Sequence, residues 1–189
     1  MAEPTQINYE KLKVSCNKCS LRELCIPQGM SEDEITHINK IVERKKPVQK
    51  NEYLFRAGEQ NRSLYAVLSG SVKTLVDNPN GEEQIVGFHL PGEILGLDGF
   101  QGDAHSCSAV ALETASVCEF PIESLDQVCH DVPSVQYAMR RIMGEEVSKD
   151  HSMLLLLGRM SAEEKLASFL LSLSKRMVLR HWKATEFNL

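Results

Sequence analysis

The chain has 189 residues, 25% of them charged and 42% hydrophobic, and a net charge of −5. These values fit a globular chain of one domain, or one domain with a helical appendage. The acidic balance argues against a free-standing nucleic-acid module gripping DNA through its overall field, and no run of about 20 apolar residues is present to span a membrane.

The first residues, MAEPTQINYEKLKVS, are polar and lack the apolar segment of a secretory signal. The expected location is cytoplasmic, where thiols stay reduced. Six cysteines in such a chain point to metal or redox chemistry more than to a disulfide framework. Residues 1–30 show no sustained periodicity and read as a loop-rich arm. Three of the cysteines fall here, in CNKCSLRELC: Cys16, Cys19 and Cys25.

SEDEITHINKIVERKK follows and predicts a short helix. Ser31 and Glu34 have capping-box spacing, and Ile35, Ile38, Ile41 and Val42 recur at helical intervals. Short apolar runs then alternate with turn clusters from about residue 47 to 121: YLF, SLYAVL, VKTLV, QIVGFHL, SAVAL and SVCEF. That texture predicts an antiparallel sandwich or barrel, with a hairpin tip at Asn78–Gly81. Beyond Pro121 the pattern is helical. IESLDQVCH is a short helix, a long one runs from about residue 133 to 160, and Ser161 with Glu164 caps a third.

The long helix carries a seam. Gln136, Arg140, Met143, Val147, Asp150, Leu154, Leu157 and Ser161 are spaced alternately four and three apart, as in a coiled coil. One face of a helix lying on its own barrel is the alternative. The run Met153–Leu157 covers too wide an arc for one buried stripe, which favours packing on two sides. Asp150 would face its own copy in a two-fold dimer, at a cost of about 1–4 kcal/mol for carboxylates about 4 Å apart. It is therefore expected to make dimerisation conditional, unless it sits solvated at the rim.

Three uses compete for the clustered cysteines. Structural zinc normally takes a second cysteine or histidine pair, which is absent. A reactive dithiol normally accompanies a βαβ pattern, also absent. An iron–sulfur cluster takes four thiolates, often three clustered and one distant. Cys107, Cys118 and Cys129 are all candidates for the fourth, and spacing does not choose. Cys107 and Cys118 lie in predicted strands and Cys129 ends a short helix.

Taken together, CNKCSLRELCIP, IVERKKPVQK, LFRAGEQNRSLYAVLSGSVK, GEEQIVGFHLPGEILGLDGF, ALETASVCEFP and SAEEKLASFL resemble the oxygen-responsive branch of the Crp/Fnr regulators over nearly the whole chain. The resemblance implies a mainly β fold with added helices: a cyclic-nucleotide-binding-like jelly roll (double-stranded β-helix) with an N-terminal cysteine arm and a long C-terminal dimerisation helix. The implied parts are a cluster-binding arm (1–30), a sensory barrel (31–130), the dimerisation helix (131–160) and the start of a DNA-binding region (161–189). It implies a [4Fe–4S] cluster on Cys16, Cys19, Cys25 and Cys118, with Cys107 and Cys129 left to packing. Oxygen would convert the cluster to [2Fe–2S], the homodimer would dissociate and DNA would be released. Asp150 falls where the family has an aspartate opposing dimerisation. Ser20 and Leu24, inside the cysteine loop, are candidates to tune oxygen access, against ordinary loop packing. Asn80, Gly81, Glu82 and Glu83 lie where the resemblance suggests a contact with RNA polymerase, though a solvated hairpin tip is the preferred account. The family's helix-turn-helix would begin just past Leu189, so no DNA-reading element is expected within these residues.

Two rivals remain: a zinc-stabilised module and a cyclic-nucleotide site. The nucleotide site needs a Gly-Glu turn, present as Gly92 and Glu93, and an arginine for the cyclic phosphate. His105 fills the arginine position, and neutral imidazole substitutes poorly for a bidentate guanidinium. Enzymatic activity is not expected: the six histidines are scattered, with no HxH pair, nucleophile elbow or phosphate loop.

Overall fold

The computed structural model describes residues 15–26, 29–78 and 80–186. The chain divides into two compact units, Met1–Gln136 and Tyr137–Leu189.

The first unit is built on eight antiparallel strands: β1 (Glu43–Arg44), β2 (Tyr53–Phe55), β3 (Ser63–Ser69), β4 (Val72–Asp77), β5 (Glu83–His89), β6 (Ile94–Leu95), β7 (Ser108–Ala111) and β8 (Ser116–Pro121). They form two four-stranded sheets, ordered β1-β8-β3-β6 and β2-β7-β4-β5. This is the expected jelly roll, and every predicted apolar run lies in or overlaps one of its strands. Phe55, Tyr65, Val67, Val72, Leu95, Ala109, Ala111, Ala115 and Val117 form the core between the sheets.

Strand alternation turns Leu64 and Ala66 of β3 to the face opposite Tyr65 and Val67. β3 is nonetheless buried from Ser63 to Val67, because its outer face is covered too. α2 (Glu32–Ile41) and α3 (Ile122–Asp131) pack on one another, with α3 also against β8. Ile35 and Ile38 of α2 and Leu125 and Val128 of α3 are buried.

The capping box of α2 forms as expected. Glu34 N–H donates to Ser31 Oγ (3.3 Å) and Ser31 N–H donates to the Glu34 carboxylate (2.7 Å). The helix ends at Ile41, earlier than the periodicity predicts, because Val42 is extended and Glu43–Arg44 pair with β8. Sheet pairing there outweighs local helix preference. Of the predicted arm, residues 1–14, 27 and 28 lie outside the described residues; within 15–26 the chain holds a 3₁₀ turn at Cys16–Lys18 and one helical turn, α1 (Arg22–Cys25), where the sequence reads as a loop.

The helix α4 (Pro133–Arg159) starts in the first unit and continues into the second, which also holds α5 (Ala162–Val178). The predicted capping box of Ser161 and Glu164 opens α5. No helix among the described residues is long and apolar enough to cross a membrane.

Candidate functional site

Cys118 lies in the middle of β8, between β1 and β3, paired with Arg44 on one side and Ala66 on the other. Val117 points into the core, so Cys118 points to the outer face of the sheet. The Cys16–Lys18 turn packs against α2, which packs on α3. Cys16 N–H donates to Asn39 Oδ1 of α2 (2.6 Å). Arg22 donates to the Glu32 carboxylate (2.6 Å), and Asn17 bonds Glu32 and Asn39 as well. Further along, Leu24 packs on the turn between β5 and β6. A Cβ at Gly92 would lie 2.5 Å from Leu24 Cβ, and Gly92 has φ +90°, so a side chain is excluded there on both counts.

This docking brings Cys16, Cys19 and Cys118 within electrostatic reach of one another. Cys16 and Cys118 are buried. Burial pushes the Cys16 thiol up to about 11, aided by the Cys118 and Cys19 sulfurs and opposed by Arg22. Burial likewise pushes Cys118 up to about 11, aided by Cys19 and opposed by Arg44. Cys25 ends α1, partly buried, six positions beyond Cys19. Ser20 is exposed and Leu24 half-buried against Gly92.

The other two cysteines face different partners. Cys107 is not in a strand, as the sequence suggests, but in the bend just before β7, where its N–H and Sγ both donate to Asp98. Burial and Asp98 raise its thiol to about 12. Cys129 lies in α3, raised by burial and by Asp126. Neither is coupled to another thiol.

Among the described residues, no three His, Cys, Asp or Glu side chains converge tightly enough to hold a single metal ion. The donors do suit a group with several metal atoms. They are soft thiols on three separate elements, and the two buried ones are too basic to ionise unaided. A cationic, thiolate-preferring group would supply the missing counter-charge, releasing protons as it bound.

The nucleotide-type turn is engaged internally. Glu93 accepts from Leu90 N–H (3.1 Å) while the arm covers Gly92. His105, at the position where a phosphate-binding arginine would stand, is 4% exposed. It stacks on Phe55 with ring centroids 3.7 Å apart and bonds Asp98 through Nδ1 (3.3 Å). It is a core residue.

On α4, Gln136, Arg140, Met143, Val147, Asp150 and Leu154 are all exposed, with Val147 at 52% and Leu154 at 66%. The side chain of Leu157 lies outside the described residues. Asn80, Gly81, Glu82 and Glu83 form the exposed tip of the β4–β5 hairpin. There Asn78 Oδ1 accepts from the N–H groups of Asn80 (2.9 Å) and Glu82 (3.0 Å). Sequence reasoning does not single out Asn39 or Arg44, and it marks Gly92 only as part of a Gly-Glu turn, not as the seat of Leu24. Each matters only through a partner 23 to 74 positions away in the chain.

The cyclic nucleotide-binding domain family matches residues 45–131. The regulatory protein HlyX of Actinobacillus pleuropneumoniae is 44% identical over 176 residues, covering 93% of this chain and 73% of its own. The fumarate and nitrate reduction regulatory protein of Vibrio cholerae is also 44% identical, covering 93% of this chain and 70% of its own. Among solved structures, FixK2 of Bradyrhizobium japonicum superposes with a TM-score of 0.67 at 29% identity, over 72% of this chain and 67% of that one. With that likeness over nearly its full length, this chain belongs to the Crp/Fnr family of transcription regulators, alongside the fumarate and nitrate reduction regulatory proteins.

Proposed function

We propose that this chain is the sensory and dimerisation part of an oxygen-responsive regulator of anaerobic metabolism, with Cys16, Cys19, Cys25 and Cys118 holding a [4Fe–4S] cluster. The observation that carries the reading is the docked arm, which places Cys16 and Cys19 beside the one outward-facing strand cysteine, Cys118. The names of the relatives, anaerobic and fumarate-and-nitrate regulators, support it further. When bound, the cluster would supply iron–thiolate links between the arm and the sheet, built on an oxygen-labile core.

The chain's own residues do the rest. Cys118 fixes one end of the tether to the sheet and Cys16 fixes the other to the arm. Asn39, Glu32 and Gly92 give the arm its seat. α2 packs on α3, and α3 passes through Val132 directly into α4. Ordering of the arm therefore bears on elements that lead to the dimerisation helix. A bias of about 3 kcal/mol would shift a dimerisation constant more than a hundredfold. Arg140, Met143, Val147, Asp150, Leu154 and Leu157 would form the homodimer seam. DNA would be read by a region of the kind that the longer relatives have room for beyond the matched segment.

Iron and acid-labile sulfide content after anaerobic purification tests the reading. About four of each per chain is expected, retained in Cys107→Ala and Cys129→Ala and lost in Cys118→Ala. Full retention in Cys118→Ala, or an iron-free wild-type protein that still dimerises under argon, would overturn it.

A further inference from the structure

Arg44 stands directly opposite Cys118 in the β1–β8 ladder. Residues paired this way project from the same face, with Cβ atoms about 4.5–5.5 Å apart. Cys118 faces the arm, so Arg44 lies on the arm side of the sheet. Its Nε is buried without a hydrogen-bond partner. No ion pair among the described residues includes it. The other guanidinium near these thiols, that of Arg22, is instead neutralised by Glu32. A buried N–H with no acceptor beside an unpaired charge is unfavourable in itself. An acceptor supplied at the Cys118 side of the sheet would satisfy that N–H and offset the charge.

We propose that Arg44 is a positioning residue for the cluster: its Nε–H donates to a sulfur at the Cys118 corner, and its fixed charge offsets the negative charge of the thiolate-ligated group. This rests on the cluster reading above. Hydrogen bonds and charges of this kind set how firmly a thiolate holds its metal, with losses of about 10–100-fold when they are removed. Arg44 would thus weaken the fold without the cluster and strengthen it with the cluster.

The test compares Arg44→Met with wild type in the full-length protein, reconstituted with iron and sulfide under argon. Iron release to a ferrous chelator without oxygen should be about tenfold faster in the variant. Its iron–thiolate Raman bands should shift, while its apoprotein should unfold at the same or a higher urea concentration. Arg44→Lys keeps the charge without the Nε–H and should fall between the two; it serves alone if Arg44→Met does not fold. Wild-type release rates with unshifted bands would overturn the assignment. So would an apoprotein destabilised as much as the loaded one, which would mark Arg44 as ordinary packing. A wild-type protein that loads normally while Arg44→Met does not differ separates this failure from failure of the cluster reading. A wild-type protein that takes up no iron or sulfide overturns both.

Discussion

Asp98 gathers His105, Ser106 and Cys107 at one end of the barrel. Its carboxylate accepts from Ser106 N–H (2.7 Å), Cys107 N–H (3.2 Å), the Cys107 thiol (3.5 Å) and His105 Nδ1 (3.3 Å). Burial alone would raise its pKa, but the donors from Ser106, His105 and Cys107 outweigh burial and hold it below the ordinary carboxylate range. The stability it contributes is therefore present above about pH 4 and is lost as pH falls through its lowered native value. Asp98→Asn should cost about 1–3 kcal/mol at pH 7. The gap from wild type should narrow as pH falls below about 4, as read from urea midpoints at each pH. A gap that persists unchanged at pH 3 would show that the charge is not what holds His105 and Cys107. Together with the Phe55–His105 stack, this hub holds His105 in the core at the position where a phosphate-binding arginine would stand.

At the scale of elements, α2 and α4 do different work with the same periodicity. α2 buries its apolar stripe and offers Asn39 and Glu32 to the arm. α4 leaves its heptad stripe exposed, with Met143, Val147 and Leu154 open to solvent and Asp150 among them. An apolar seam interrupted by one carboxylate fits a helix that pairs only when pairing is otherwise favoured. Replacing Asp150 with Ala should remove about 1–4 kcal/mol of repulsion between copies. The cluster-free protein should then dimerise at least fivefold more tightly by sedimentation equilibrium. Unchanged dissociation constants would place Asp150 at the rim. The capping boxes at Ser31 and Ser161, both legible from the sequence, fix where α2 and α5 begin. Where α2 ends was not legible, because its last predicted turn is taken by pairing with β8.

For the whole molecule, the proposed signal runs from the arm through α2 and α3 to the start of α4, and the β4–β5 hairpin is a separate candidate surface. Its tip is exposed yet ordered by bonds to Asn78, a suitable form for a partner surface. If the tip meets RNA polymerase, reversing the charges of Glu82 and Glu83 should lower transcription activation severalfold and leave DNA affinity unchanged in the full-length regulator. Equal losses in both would assign the effect to folding instead.

Strand runs, helix starts, the heptad seam and the cysteine spacing were all readable along the chain, because each depends on neighbours within about seven positions. The sequence could not choose between Cys107, Cys118 and Cys129 by spacing. That choice depends on strand register and on which face of the sheet the arm covers, both set by partners far apart in sequence. Packing turned Cys118 outward beside Arg44, bound Cys107 to Asp98 and set Cys129 near Asp126. Local chemistry thus marked the cysteines as candidate ligands, and long-range pairing brought Cys16 and Cys19 into reach of Cys118.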